Sequence, residues 1–184
     1  MRHVLSGRMV LAATVVLLAG YICGCGYTTT SIVPEGVRSI YVDNFRNDIN
    51  FTSESIYGER LNLYRHRLES DLTRQITERF LFDGALAVAS EASSDAILSG
   101  GLTDFIEEPL RYDSDDNVIE YRLRLISDVS FRKQGADEVL WSERILAEVT
   151  YRTTGAFAKT EDEAIDALTE ELARRIVERT IEAW

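Results

Sequence analysis

The chain is poor in the residues that carry out covalent and metal chemistry. It has two cysteines, two histidines and two methionines among 184 residues. A transition-metal site needs clustered His or Cys ligands, and no such cluster occurs. No glycine-rich phosphate loop is present. His66 sits between Arg65 and Arg67 in a helical pattern, where an ordinary surface histidine is expected rather than a catalytic base or a pH sensor. "DSDDN", at 113–117, lacks the glycine and the distal glutamate of a calcium-binding loop and reads as a solvated turn. The formal net charge of −11 argues against nonspecific nucleic-acid binding. No constellation of an enzyme is visible, and a non-enzyme is expected.

The first 24 residues carry a layout of their own. Arg2 and Arg8 make a basic start, and Met9 to Ala19 is apolar except for Thr14. That core is about ten residues, whereas a spanning helix needs about 20, so the segment reads as an export signal. It ends in Ile22-Cys23-Gly24-Cys25, which resembles the lipobox of bacterial lipoproteins: an aliphatic residue at −3, a small one at −1, then the acceptor cysteine. Taking Cys23 as the acceptor would put Gly20 at −3 and bulky Ile22 at −1, which fits worse. The expectation is removal of residues 1–24 and a diacylglycerol and an N-acyl chain on Cys25. Two or more chains hold a protein stably at a membrane, where one holds it marginally. Cleavage leaves 160 residues and, by removing Arg2 and Arg8, moves the net charge from −11 to −13. It also removes Cys23, so no disulfide can form within the mature chain.

The mature chain divides into a short tether, 25–36, and a single domain, 37–184. "RSIYVDNF", 38–45, is a strand candidate, followed by a polar loop. From Glu59 to Phe82, apolar residues recur at three and four: Leu61, Tyr64, Leu68, Leu72, Ile76 and Phe80. That predicts an amphipathic helix of about six turns, stopped at Gly84. "ALAVAS", 85–90, and "DAILSGGLTDFI", 95–106, read as strands. Gly100-Gly101 marks a bulge or a close backbone approach. The acidic stretch 107–117 reads as a turn.

Residues 118–133 alternate strictly. Ile119, Tyr121, Leu123, Leu125, Val129 and Phe131 point one way; Glu120, Arg122, Arg124, Asp128, Ser130 and Arg132 point the other. "VLWSERILAEVTYRTTG" alternates again after a loop containing Gly135, which predicts a hairpin. One register sets Phe131 opposite Trp141, Leu125 opposite Ala147, Leu123 opposite Val149 and Tyr121 opposite Tyr151. On the other face it opposes Asp128 to Arg144, Arg124 to Glu148, Glu120 to Arg152 and Ile126 to Leu146. A slip of one residue would reverse every face. In this register Arg122 faces Thr150 and Arg132 faces Leu140, so neither meets a carboxylate. Glu143 is the one misfit, an acid on the apolar face. A final helix runs to Trp184, with Thr160 and Glu163 in capping-box spacing. Its arginines, Arg174, Arg175 and Arg179, sit late, where the helix dipole favours them. Two helices, each with one apolar face, need one sheet face to cover. The expected fold is α+β: a two-layer sandwich of two long helices on one face of a four- to five-stranded mixed sheet.

Taken in order, "CGY" at the acceptor cysteine, "VDNFRN", the long first helix, "SDAILSGGL", "EYRLRL" with "VLWSE", and the Ala- and Arg-rich last helix resemble the LPS-assembly lipoprotein LptE family. The resemblance implies a non-enzyme held as a plug within the LptD β-barrel of the outer membrane, supporting lipopolysaccharide transport to the cell surface. It implies no cofactor beyond the lipid on Cys25. Gly26, in place of the aspartate that retains some lipoproteins at the inner membrane, agrees with the outer membrane. Arg122, Arg132 and Lys133 are the candidate contacts for lipid A phosphates, because arginine binds phosphate through a planar fork. Ile126 and Leu146, apolar on a charged strand face, are the candidate barrel contacts. The competing reading is a small lipoprotein of related architecture that regulates a periplasmic enzyme such as a peptidoglycan synthase.

Overall fold

The computed structural model describes residues 36–49, 67–135 and 139–182. The expected signal, Cys25 and the tether up to residue 35 lie outside the described residues, as do Leu61, Tyr64, His66 and Trp184. Among the described residues the elements are β1 (Ser39–Val42), β2 (Arg46–Asn47), α1 (Leu68–Asp83), β3 (Ala87–Val88), β4 (Ala96–Tyr112), β5 (Val118–Lys133), β6 (Val139–Arg152) and α2 (Glu161–Glu182). The strands form one sheet in the order β3-β1-β4-β5-β6, with β2 paired to β4 off that path. β1 runs parallel to β3 and β4, and β2 parallel to β4, while β4, β5 and β6 are antiparallel. The two-layer α+β architecture is as expected. The strand inventory differs in that Arg46–Asn47, read as loop, joins the sheet as a sixth short strand.

The β5–β6 register is the expected one from Glu120 opposite Arg152 to Phe131 opposite Trp141. It departs only at the tip, where a register shift puts Arg132 opposite Val139 rather than Leu140. β4 departs more. The stretch 107–112, read as part of a turn, continues the strand, and the turn proper is 113–117. Glu107 lies opposite Leu123 and Glu108 opposite Arg122. The acids misled because charge and Pro109 lower intrinsic strand propensity. Pairing with β5 overrides propensity, and the neighbouring strands β1 and β2 reach only as far as Leu102. Pro109 therefore needs no amide donor on that side.

α1 begins at Leu68, after Arg67 in a left-handed conformation (φ 114°). The earlier part of the expected stretch, 59–66, lies outside the described residues. Leu68, Leu72, Ile76 and Phe80 face the core, as the periodicity predicted. Gly84 closes it at φ 75°, its N–H donating to the Phe80 carbonyl, a conformation that costs glycine little. In α2, Ile165, Leu168, Leu172 and Ile176 are buried. The Thr169 and Thr180 hydroxyls, also buried, donate to the carbonyls of Ile165 and Ile176. The α2 stripe packs against β6 and the odd-numbered face of β5, where Leu123, Leu125, Val129 and Phe131 are sequestered, while the α1 stripe packs against α2 and the β1–β3 side of the same sheet face.

The capping box is formed. The Thr160 N–H donates to Glu163 Oε2 at 2.8 Å, and the Glu163 N–H donates to Thr160 Oγ1 at 3.3 Å. Thr160→Ala is expected to cost about 1 kcal/mol, read as a lowered midpoint in urea unfolding. A midpoint equal to that of the unaltered chain would contradict the cap.

Farther along α2, Arg174 donates to Glu171 at 2.8 and 2.6 Å, and Arg175 donates to it at 2.7 Å. Chiefly through the Arg174 hydrogen bonds, the Glu171 carboxyl is held down at about 2, against an ordinary 4.5. A carboxylate whose pKa is lower in the folded state adds stability above its unfolded value and loses it as pH falls through the folded one. The stability difference between the unaltered chain and Glu171→Gln should therefore be level above about pH 5 and shrink between 4.5 and about 2. Because the site is partly open to solvent, the change is about 1 kcal/mol. Unfolding in urea at about pH 6 and about pH 3 checks it; equal differences at the two values would contradict it.

Candidate interaction surfaces

The helices cover one face of the sheet and leave the even-numbered face of β5 outward. Across it runs a ladder of ion pairs that the strand registers bring together. Arg144 donates to both carboxylate oxygens of Asp128, at 2.8 and 3.0 Å. The Arg144 hydrogen bond holds the Asp128 carboxyl below its usual range. Glu120 lies 3.5 Å from Arg111 and 3.9 Å from Arg152. Solvent screens exposed pairs of this kind, so the ladder orders the surface more than it holds the fold.

The cations expected to be free are not all free. Arg122 faces Thr150 as predicted, but its guanidinium is 3.3 Å from Glu148 and 3.7 Å from Glu108. Arg124, expected to pair with Glu148 directly across the ladder, instead lies 3.3 Å from Glu108. The reason is the long β4: it brings Glu108 beside both arginines, and a glutamate placed in a turn could not be foreseen there. Among the described residues no ion pair involves Arg132 or Lys133, which stand at the β5 end of the hairpin. Arg132 is exposed, and with Asp43, Arg46, Ser99, Ser130 and Ser142 it borders a cleft on the outward face. The cleft has a physical origin: Ser99, Ser130 and Ser142 are aligned across β4, β5 and β6, so three small side chains form its floor.

Ile126 and Leu146 lie opposite each other. Leu146 is 36% exposed, and Ile126 is half-buried. They form a small apolar island within the charged ladder, next to Asp104 in the row across β4. Tyr41 and Tyr112, far apart in the sheet, do not join it: Tyr41 pairs with Ile97 at one end and Tyr112 with Val118 at the other.

Gly100-Gly101 marks a close approach. A Cβ on Gly100 would sit 2.6 Å from the Phe45 ring and 2.8 Å from the Asp128 carbonyl oxygen, and one on Gly101 would meet the Asp48 carboxylate. The bulge in this region is one step on, between Leu102 and Asp104. In the 113–117 turn, Asp113 Oδ1 accepts from the N–H groups of Asp115 and Asn117, both at 2.9 Å. This is a hydrogen-bonded turn. No group of His, Cys, Asp or Glu among the described residues is arranged to hold a metal ion.

The misfit at Glu143 has a partner that sequence alone did not suggest. Arg179 of α2 donates to it at 2.8 Å and lies over the Trp141 ring, 5.0 Å from its centroid. The Arg179 hydrogen bond lowers the Glu143 carboxyl below its usual range. An acid on the inward face is tolerable because it lies where the end of α2 can reach it. An isolated charge on an otherwise regular apolar face, together with late arginines on a helix, was the available signal.

The family model described as "LptE: Lipopolysaccharide-assembly" matches residues 37–180. Among solved structures, the chain is similar to CT253 from Chlamydia trachomatis, with a TM-score of 0.52 at 10% identity, covering 80% of this chain and 99% of that one. It is also similar to XCC0632 from Xanthomonas campestris, with a TM-score of 0.50 at 14% identity, covering 83% and 86%. Rare lipoprotein B from Shewanella oneidensis gives 0.45 at 16% identity, covering 79% and 90%. At these identities the first two likenesses concern the fold alone. No curated protein sequence is significantly similar. From its match over residues 37–180, the chain belongs to the LptE lipopolysaccharide-assembly family.

Proposed function

We propose that this protein is an outer-membrane lipoprotein, anchored by acyl chains on Cys25, that joins an LptD-type β-barrel as its plug and assembly subunit and supports lipopolysaccharide transport to the cell surface. The observation that carries this reading is the family match over residues 37–180, which takes in every described strand and nearly all of α2. The role is structural and non-enzymatic. The outward sheet face, with Ile126 and Leu146 set in an ion-pair ladder, supports burial against a large partner of mixed polarity. The test is affinity capture from detergent-solubilised outer membranes. Recovery of a large β-barrel is the expected result, and recovery of a peptidoglycan synthase instead would overturn the reading. The anchor has its own test: Cys25→Ala should lose incorporation of labelled palmitate, and a variant that still takes up the label contradicts it.

Lipopolysaccharide presents phosphates, and a forked guanidinium suits them. With Arg122 committed to two carboxylates, Arg132 and Lys133 are the contacts this reading favours. Arg132→Glu combined with Lys133→Glu is expected to weaken lipopolysaccharide binding about tenfold, measured as retention on immobilised lipopolysaccharide. Unaltered retention would rule these two residues out.

A further inference from the structure

The two ends of the sheet differ in character. At one end the chain enters β1 just after Gly36. Ser39 pairs with Ala87, and the Ala87 N–H donates to the Arg38 carbonyl at 3.0 Å. α1 terminates at Asp83, four residues before Ala87, so its last turn lies at this same end. That turn exposes Leu81 by 65% and Phe82 by 93%. β6 begins there too, with Val139 exposed by 55%. The hairpin tip is fastened to this end: the Gln134 amide group donates to the Glu91 carbonyl and the Gln134 N–H to the Asp95 carbonyl, each at 2.8 Å. Arg38, Arg132 and Lys133 stand here, balanced by the acids Asp83, Glu91 and Asp95, the last beside Arg38. The opposite end is acidic. It carries Asp113, Asp115 and Asp116 of the β4–β5 turn and Glu161, Asp162 and Glu163 of the first turn of α2. Its most exposed apolar residue, Phe157 (84%), belongs to the connection that leads into those last three acids.

We infer that Leu81 and Phe82 form a second membrane contact, inserting at the surface of the bilayer that holds the anchor; the inference rests on acylation at Cys25. Three observations select a lipid surface as the occupant. The eleven peptide steps from Cys25 to Gly36 span at most about 40 Å, and the chain enters the fold at the end of the sheet where α1 terminates, which keeps that end within reach of the bilayer. The two residues are apolar, adjacent and unshielded, a pattern suited to the headgroup–acyl boundary. The acids gathered at the other end turn that end away from an anionic surface, while this end carries no net excess of acid. The anchor also makes the second contact intramolecular, so two side chains suffice where they would fail in a free protein.

The test uses the mature acylated protein in phosphatidylethanolamine–phosphatidylglycerol vesicles. With the Cys25 sulfur acylated, Asp83→Cys supplies one thiol for an environment-sensitive fluorophore, and Phe157→Cys supplies the same probe at the acidic end. The probe at 83 should be blue-shifted and quenched by lipids carrying shallow nitroxides about twofold more than the probe at 157. The difference should vanish when Leu81→Ser and Phe82→Ser are added to Asp83→Cys. Protein that floats with the vesicles while the two probes behave alike overturns the contact and leaves the anchor standing. A probe at 83 shielded from aqueous quencher only when a β-barrel partner is present, and never quenched by nitroxide lipid, assigns the surface to protein and overturns it too. Protein that fails to float overturns the anchor, and the contact with it.

Discussion

Phe131→Ala is expected to destabilise the folded chain by about 3–5 kcal/mol. Phe131 is fully buried, opposite Leu98 of β4 and Trp141 of β6. Its ring packs against Trp141 with centroids 6.1 Å apart. β5 is hydrogen-bonded on both sides along almost its whole length, so its backbone cannot sink into the space left by the ring. Trp141 is itself pinned beneath Arg179. A site that cannot collapse keeps its cavity and bears the upper range of the cost. Domains of this kind have about 5–15 kcal/mol in hand, so the variant should approach its unfolding threshold at ordinary temperature. Denaturant unfolding followed by circular dichroism should give a much lower midpoint with an unchanged slope. A loss below about 1 kcal/mol would mean that the ring is not at the centre of the core.

Gly100→Ala should cost about 1–3 kcal/mol, and Gly100→Val more, although both replace glycine in a strand. By propensity alone a larger residue in a strand would be stabilising. The expected sign is the reverse because of what surrounds the position. The added Cβ would come within 2.8 Å of the Asp128 carbonyl oxygen and 2.6 Å of the Phe45 ring. The carbonyl belongs to the paired strand β5 and cannot move without breaking the ladder. Phe45 is only 3% exposed, and its N–H accepts no freedom either, donating to Thr73 Oγ1 of α1 at 3.0 Å. Relief therefore requires the β1–β2 connection to shift away from the sheet. The same unfolding measurement decides the matter. A more stable alanine variant would show that the approach of Phe45 is looser than the structure has it.

Most of the β5–β6 hairpin was legible from residue order. Alternation has a period of two, and apolar pairs on one face agreed with opposite charges on the other in a single register. The two helix stripes and the Thr160–Glu163 cap were legible for the same reason, since each depends on neighbours within four residues. What escaped involved partners distant in sequence. β4 runs on through Glu107–Tyr112 because β5 lies beside it, against the preference of an acidic, proline-bearing segment. The bulge beyond Phe131 displaced Arg132 from Leu140 to Val139. Of the candidate site, the facing of Ile126 and Leu146 could be read from periodicity. The engagement of Arg122 could not, because Glu108 comes from a strand that looked like a turn.

Local order thus determined which residues face inward, where the hairpin pairs and how α2 begins, because these follow from spacing along one stretch of chain. The tertiary structure decided which arginines are engaged, why Glu143 can lie on an apolar face, why residues 100 and 101 are glycine, and that Leu81 and Phe82 stand where the chain enters the fold. Each of these depends on groups that are brought together only when strands and helices from separate parts of the chain are packed.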